Sequence, residues 1–131
     1  MIVYLDTNIV IYAVEQNPVF GPKARTRLAT ARAVGDTLTI SDLTRMECLV
    51  GPLKSGDAVV EADYHTFFAV TNVVAITAAV CDRAARIRAS HNFKSMDALQ
   101  LAAAVEHGAN VFLTADVRLG SFTGLTVEIL S

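Results

Sequence analysis

The chain has 131 residues, enough for one domain of ordinary size that buries roughly two-thirds of its unfolded surface. Hydrophobic residues make up 53% and charged residues 18%, with a net charge of −2, which excludes a disordered chain and a face coated for general nucleic-acid binding. Tryptophan is absent and aromatics are only 7%, so an extended base-stacking platform is excluded too, though an enzyme that neutralises phosphate locally is not.

Ile2-Val-Tyr-Leu5 reads as a short buried strand, because it is β-prone and continuously apolar. Asp6-Thr7-Asn8 offers capping chemistry for a helix through Val14. Pro18 and Pro22 precede a longer helix, residues 21–34, and Thr37 to Ile40 forms a second strand. Ser41 or Asp42 caps a helix through Val50, and Gly51-Pro-Leu-Lys-Ser-Gly56 is the clear loop, closed by Asp57 as the next cap. A helix over 57–70 leads to a strand at Asn72–Ala75, and Thr77 caps a helix to Ser90. Ser95 caps another over 96–107, ended by Gly108, before strands at Asn110–Leu113 and Thr126–Ile129. Strands this apolar, alternating with helices, predict an α/β fold: a three-layer α/β/α sandwich around a mostly parallel central sheet of four to five strands. No linker or repeat divides the chain, so residues 1–131 are expected to form one domain.

Cys48 and Cys81 lie in helical segments without metal-ligand spacing and read as reduced core thiols. The first apolar stretch has no basic leader, and no run approaches the roughly twenty apolar residues of a spanning helix. A soluble, cytoplasmic protein with no membrane association is expected.

Four carboxylates interrupt this apolar pattern. Asp6 ends the first strand run, and Asp116 follows Val111-Phe-Leu-Thr114. Glu47 stands among Leu43, Met46 and Val50, and Asp97 opens the apolar stretch Ala98–Val105. Buried carboxylates are costly unless paired or bound to a cation, and no regular set of Lys or Arg matches these four. Each has a plainer reading: Asp6 as a helix cap, Asp97 as a first-turn acid, Asp116 as a turn former, Glu47 as an Arg partner. Together they point to a divalent metal site. Two like charges 4 Å apart repel by roughly 4 kcal/mol at an effective dielectric near 20, so a cluster raises pKa values or holds a cation. Oxygen ligands suit Mg2+ or Mn2+; His65, His91 and His107 lack the paired spacing of a zinc site.

In open parallel sheets, sites form beyond the carboxyl ends of the strands. Asp6 and Asp116 both follow strands, and the helix carrying Glu47 starts at the same edge. Asp97 follows a loop, so its helix is free to start at either edge. Thr7 and Asn8 are candidates to hydrogen-bond the carboxylates or simply to cap the helix. Arg45, Lys54, Lys94 and Arg118 are candidate phosphate contacts; Lys23 and Arg27 share a helix face and read as exposed.

The segments Val3-Tyr-Leu-Asp6-Thr7-Asn8, Met46-Glu47-Cys48-Leu49 with Gly51-Pro52-Leu53, Ser95-Met-Asp97-Ala98-Leu99 and Leu113-Thr114-Ala115-Asp116 together resemble a PIN-domain nuclease, closest to the VapC-like toxins of toxin–antitoxin pairs. The resemblance runs over nearly the whole chain, through Gly124–Leu130. It implies a parallel sheet, a metal-dependent endoribonuclease acting on RNA, usually a homodimer, and a small cognate antitoxin whose C-terminal segment occupies the active-site groove. It also implies that Asp6 and Asp97 are the main metal ligands, that Glu47 and Asp116 are the other two acids, and that Thr114 supports the site. Mg2+ is the expected ion, with Mn2+ as a substitute. The alternative is a non-catalytic PIN-like module that binds RNA or a protein. A dehalogenase-like phosphatase would want an aspartate where Asn8 stands, and a dinucleotide-binding domain a glycine-rich first turn.

Overall fold

The computed structural model describes residues 1–131. Five strands and six helices alternate as β1 (Ile2–Leu5), α1 (Thr7–Val14), α2 (Gly21–Ala33), β2 (Thr37–Ser41), α3 (Asp42–Ser55), α4 (Ala58–Ala69), β3 (Asn72–Val74), α5 (Ala78–Ser90), α6 (Ser95–Glu106), β4 (Val111–Thr114) and β5 (Thr126–Ile129). The strands form one sheet in the order β3-β2-β1-β4-β5, and every neighbouring pair is parallel. In β1 the side chains alternate between two cores. Val3 and Leu5 join Ile9, Leu28, Ile40 and Tyr64 on the face covered by α1 to α4. Tyr4 joins Phe112, Val80 and Leu101 on the face covered by α5 and α6. Helices on both faces explain why β1 and β4 are continuously apolar. The expected three-layer sandwich is therefore present, with five strands in a wholly parallel sheet.

The expected loop at Gly51–Gly56 is instead the end of α3, which runs to Ser55 with Pro52 buried inside it. Gly51, directly before the proline, has no Cβ for the ring to press against, which eases the usual break. The helix stops at Gly56, whose φ of 71° is left-handed and whose N–H donates to the Pro52 carbonyl. Ser95 is not a cap. It is the first residue of α6, after an uncapped Lys94, and its hydroxyl accepts from Arg88 Nη1 at 2.9 Å, which fastens α6 to α5. β4 begins one residue late and includes Thr114; Asn110 instead uses its Oδ1 to accept from the Ile2 N–H at 2.7 Å.

Two side-chain expectations change as well. Arg27 is not simply exposed: its Nε and Nη2 reach Glu128 at 2.7 and 3.1 Å and tie α2 to β5. Both cysteines are free, but only Cys48 lies in the core, where burial chiefly pushes its thiol up to about 12; Cys81 is exposed. No helix is long and apolar enough to cross a membrane.

Candidate functional site

β1 lies between β2 and β4, so the strand order reverses beside it. A reversal of this kind opens a crevice at the carboxyl ends of the strands. Asp6 sits at that crevice and caps α1, with its backbone N–H donating to the Leu113 carbonyl at 2.9 Å. The residue is only 6% exposed. Its Oδ1 accepts from the Thr7 N–H at 2.8 Å. Its Oδ2 accepts from Thr114 Oγ1 at 2.7 Å and from Asn8 Nδ2 at 3.2 Å. Burial is the main cause that pushes the Asp6 carboxyl up to about 6. The Thr114 and Thr7 hydrogen bonds pull the other way, and the charges of Asp97 and Glu47 add to the rise.

Glu47 enters from the second turn of α3, and its Oε1 accepts from Thr7 Oγ1 at 2.7 Å and from Gln100 Nε2 at 2.8 Å. Thr7 therefore bridges Asp6 and Glu47, through its N–H to one and its hydroxyl to the other. Neither acid takes part in an ion pair. The apolar surroundings expected for Glu47 are only partial, because Met46 and Val50 are 49% and 43% exposed. The buried side of α3 carries Thr44, Cys48 and Pro52, and Glu47 lies at its margin.

Asp97, in the first turn of α6, lies at the same edge as the others. Burial and the neighbouring Asp116 charge raise its carboxyl, while Arg118 and Lys94 oppose the rise. Asp116 caps the short 3-10 turn Val117–Ser121, as its turn-forming reading required. Its Oδ1 accepts from the Arg118 N–H and Nε, each at 3.0 Å, and its Oδ2 from Nη2 at 2.5 Å. That fork holds the Asp116 carboxyl below the usual range. The same Nη2 stands 3.8 Å from Asp97 Oδ2. The four acids thus form two linked pairs, one joined by the neutral Thr7 and one by the cationic Arg118.

Thr114 and Asn8 both hydrogen-bond the Asp6 carboxylate. Besides binding Asp6, Thr114 Oγ1 accepts from the Asp116 N–H at 3.0 Å, and Asn8 Oδ1 accepts from the Ala115 N–H at 3.2 Å. Of the basic candidates, Lys94 and Arg118 adjoin the acids. Arg45 instead lies over the Phe68 ring at 5.1 Å, and Lys54 is in the last turn of α3. No three His, Cys, Asp or Glu side chains are arranged as a closed cage for a metal ion.

Gln100 escaped the sequence reading. It is 1% exposed, accepts from the Tyr4 hydroxyl, and donates to Glu47 and, at 3.0 Å, to Thr7 Oγ1. Its signal was present: it is the lone polar residue within Ala98–Val105, three positions after Asp97 and so on the same helix face.

A family model described as "PIN domain" matches residues 3–124. Among solved structures, the chain is similar to VapBC2 from Rickettsia felis bound to a DNA fragment from its promoter, with a TM-score of 0.85, 20% identity and all of both chains covered. A toxin–antitoxin complex from Klebsiella pneumoniae matches with a TM-score of 0.79 and 24% identity over 98% of each chain. VapC20 from Mycobacterium tuberculosis, described as a Sarcin-Ricin loop cleaving toxin, matches with a TM-score of 0.72 and 15% identity over 95% of this chain and 98% of that one. At these identities the likeness is one of fold. No curated protein matches the chain.

Proposed function

Because the chain belongs to the PIN domain family, we propose that it is a metal-dependent endoribonuclease and the toxin of a toxin–antitoxin pair. Residues 1–131 are taken as one nuclease domain. The observation that carries this reading is Asp6, a buried carboxylate held by neutral donors and matched by no basic side chain, beside three more acids at the strand-order reversal. A cation would supply the missing charge.

The donor set fits Mg2+, with Mn2+ as a substitute. It is all oxygen, and such ions keep several waters and need only one or two carboxylates, so a closed protein cage is not required. Asp6 and Asp97 would hold the ion, which supplies Lewis-acid polarisation of the scissile phosphate and of a bound water. Glu47 and Asp116 would orient the attacking water or complete a second cation position. Thr7, Asn8 and Thr114 fix Asp6 and Glu47 through the hydrogen bonds described above, so the carboxylate geometry is set before substrate arrives.

The partners proposed are an RNA substrate, a second copy of this chain and a small antitoxin. Met46, Val50 and Leu53 form an exposed apolar stripe on α3, which supports a homodimer. A cavity of about 270 Å³ lined by Val14, Leu28 and Phe67 together with Arg25 and Arg32 supports docking of an apolar, acidic peptide. The neighbours in solved structures include toxin–antitoxin complexes, which supports the same partner. A cytoplasmic location follows from this role.

Purified protein free of antitoxin should cut RNA with Mg2+ or Mn2+ and stop in EDTA, and Asp6→Ala or Asp97→Ala should be inactive. Normal cutting by either variant would refute the assignment. The rival non-catalytic module draws its support from the Arg118 fork, which occupies Asp116. Mn2+ binding with no cleavage of any RNA would favour it.

A further inference from the structure

We propose that Arg118 is a resident counter-cation that a divalent ion has to displace from Asp97 and Asp116. This rests on the metal-site reading above and adds what controls access to that site. The guanidinium grips Asp116 with Nε and Nη2, at 3.0 and 2.5 Å, while the same Nη2 stands 3.8 Å from Asp97 Oδ2. One side chain therefore sets a single positive charge against two of the four acids. Asp6 and Glu47 are held differently, by Thr114, Asn8, Thr7 and Gln100, all neutral donors that leave the negative charge in place. The charge lock is confined to one side of the site.

The lock is also built to move. The Arg118 side chain is 61% exposed, and its backbone lies in the five-residue 3-10 turn Val117–Ser121. Although the contact is a two-pronged fork, water solvates the exposed guanidinium as it opens, which offsets much of the fork's strength. A divalent ion brings twice the charge to the same oxygens. Cation binding through Asp97 or Asp116 is then reduced by the work of opening the fork, and the freed guanidinium remains at the rim of the crevice.

The test is Mn2+ binding by calorimetry, without RNA, to the full chain and to Arg118→Gln, Arg118→Lys, Asp97→Asn and Arg83→Gln. Arg83 pairs with Glu106 at the opposite end of α6 from Asp97 and controls for net charge. Thermal unfolding without metal checks that each variant is folded. Arg118→Gln should bind Mn2+ about fivefold more tightly than wild type, the scale of one exposed pair. Arg118→Lys should fall between the two, and Arg83→Gln should match wild type. Equal affinity in wild type and Arg118→Gln overturns the role of Arg118 and leaves the metal site standing. A gain of the same size in Arg83→Gln overturns it too, as a net-charge effect. Failure of the underlying reading looks different: wild type would bind no Mn2+, or would bind it no better than Asp97→Asn.

Discussion

Burial pushes the Asp6 carboxyl up to about 6, and this has a consequence for the metal-free protein. A carboxyl raised on folding binds its proton more tightly in the native state, so its stabilising contribution is complete below its ordinary value of 3.8 and is lost as pH rises through about 6. In EDTA, urea unfolding should show wild type gaining about 1 kcal/mol relative to Asp6→Asn as pH falls from about 7.5 to about 5. An unchanged difference between the two proteins would contradict the burial argument. At pH 7.5 Asp6→Asn should be the more stable of the two without metal, and Mn2+ should stabilise only wild type. Gln100 is the second residue whose environment yields a number. Gln100→Leu would leave the buried Tyr4 hydroxyl without its Gln100 acceptor and Glu47 with Thr7 as its remaining donor. A loss of about 1–3 kcal/mol in urea unfolding is expected, together with slower RNA cleavage. Full stability with full activity would show that the network does not position Glu47.

At the scale of elements, the strands were the most legible part of the chain. Ile2–Leu5 and Val111–Thr114 are unbroken apolar runs because helices cover both faces of the sheet. Caps were legible where a side chain oxygen meets the third N–H, as Thr77 does with Val80 and Asp57 with Val60. The end of α3 was not, because Gly51-Pro52 is a common breaker, yet the helix continues through it to Ser55 with Pro52 buried. Ser95 misled for a related reason: its hydroxyl is taken by Arg88, from another helix, which no local pattern reveals. The segment after Asp116 carried no periodicity long enough to indicate its 3-10 turn. That turn leads to a close contact with its own test. A Cβ at Gly124 would stand 2.4 Å from the Phe122 ring, which is buried against Ile87 and Leu119 in the α5–α6 core. Gly124→Ala should therefore cost about 1–3 kcal/mol in unfolding stability, and a neutral result would show that Phe122 swings away freely.

For the whole molecule, the reversal of strand order beside β1 is what turns scattered acids into one site. Asp6 and Asp116 were legible as neighbours from their positions after strands, and Glu47 from its place in the helix after β2. Asp97 was not. The path through α5 allowed either edge, and the charges of Arg118 and Lys94 come near it only in the assembled fold. The division of labour between neutral donors around Asp6 and a cation on Asp116 was equally invisible, since no local spacing distinguishes Thr114 from Arg118 as a partner. Cleavage of one end-labelled RNA under single-turnover conditions with Mn2+ tests the central claim most directly, using wild type, Asp6→Asn and Asp97→Asn, each shown to be folded. Wild type should cut, EDTA should stop it, and both variants should be slower by at least about 100-fold, since even residues behind the ligands of such sites cost 10–100-fold. Cutting by the variants at the wild-type rate, or by wild type in EDTA, would contradict the account.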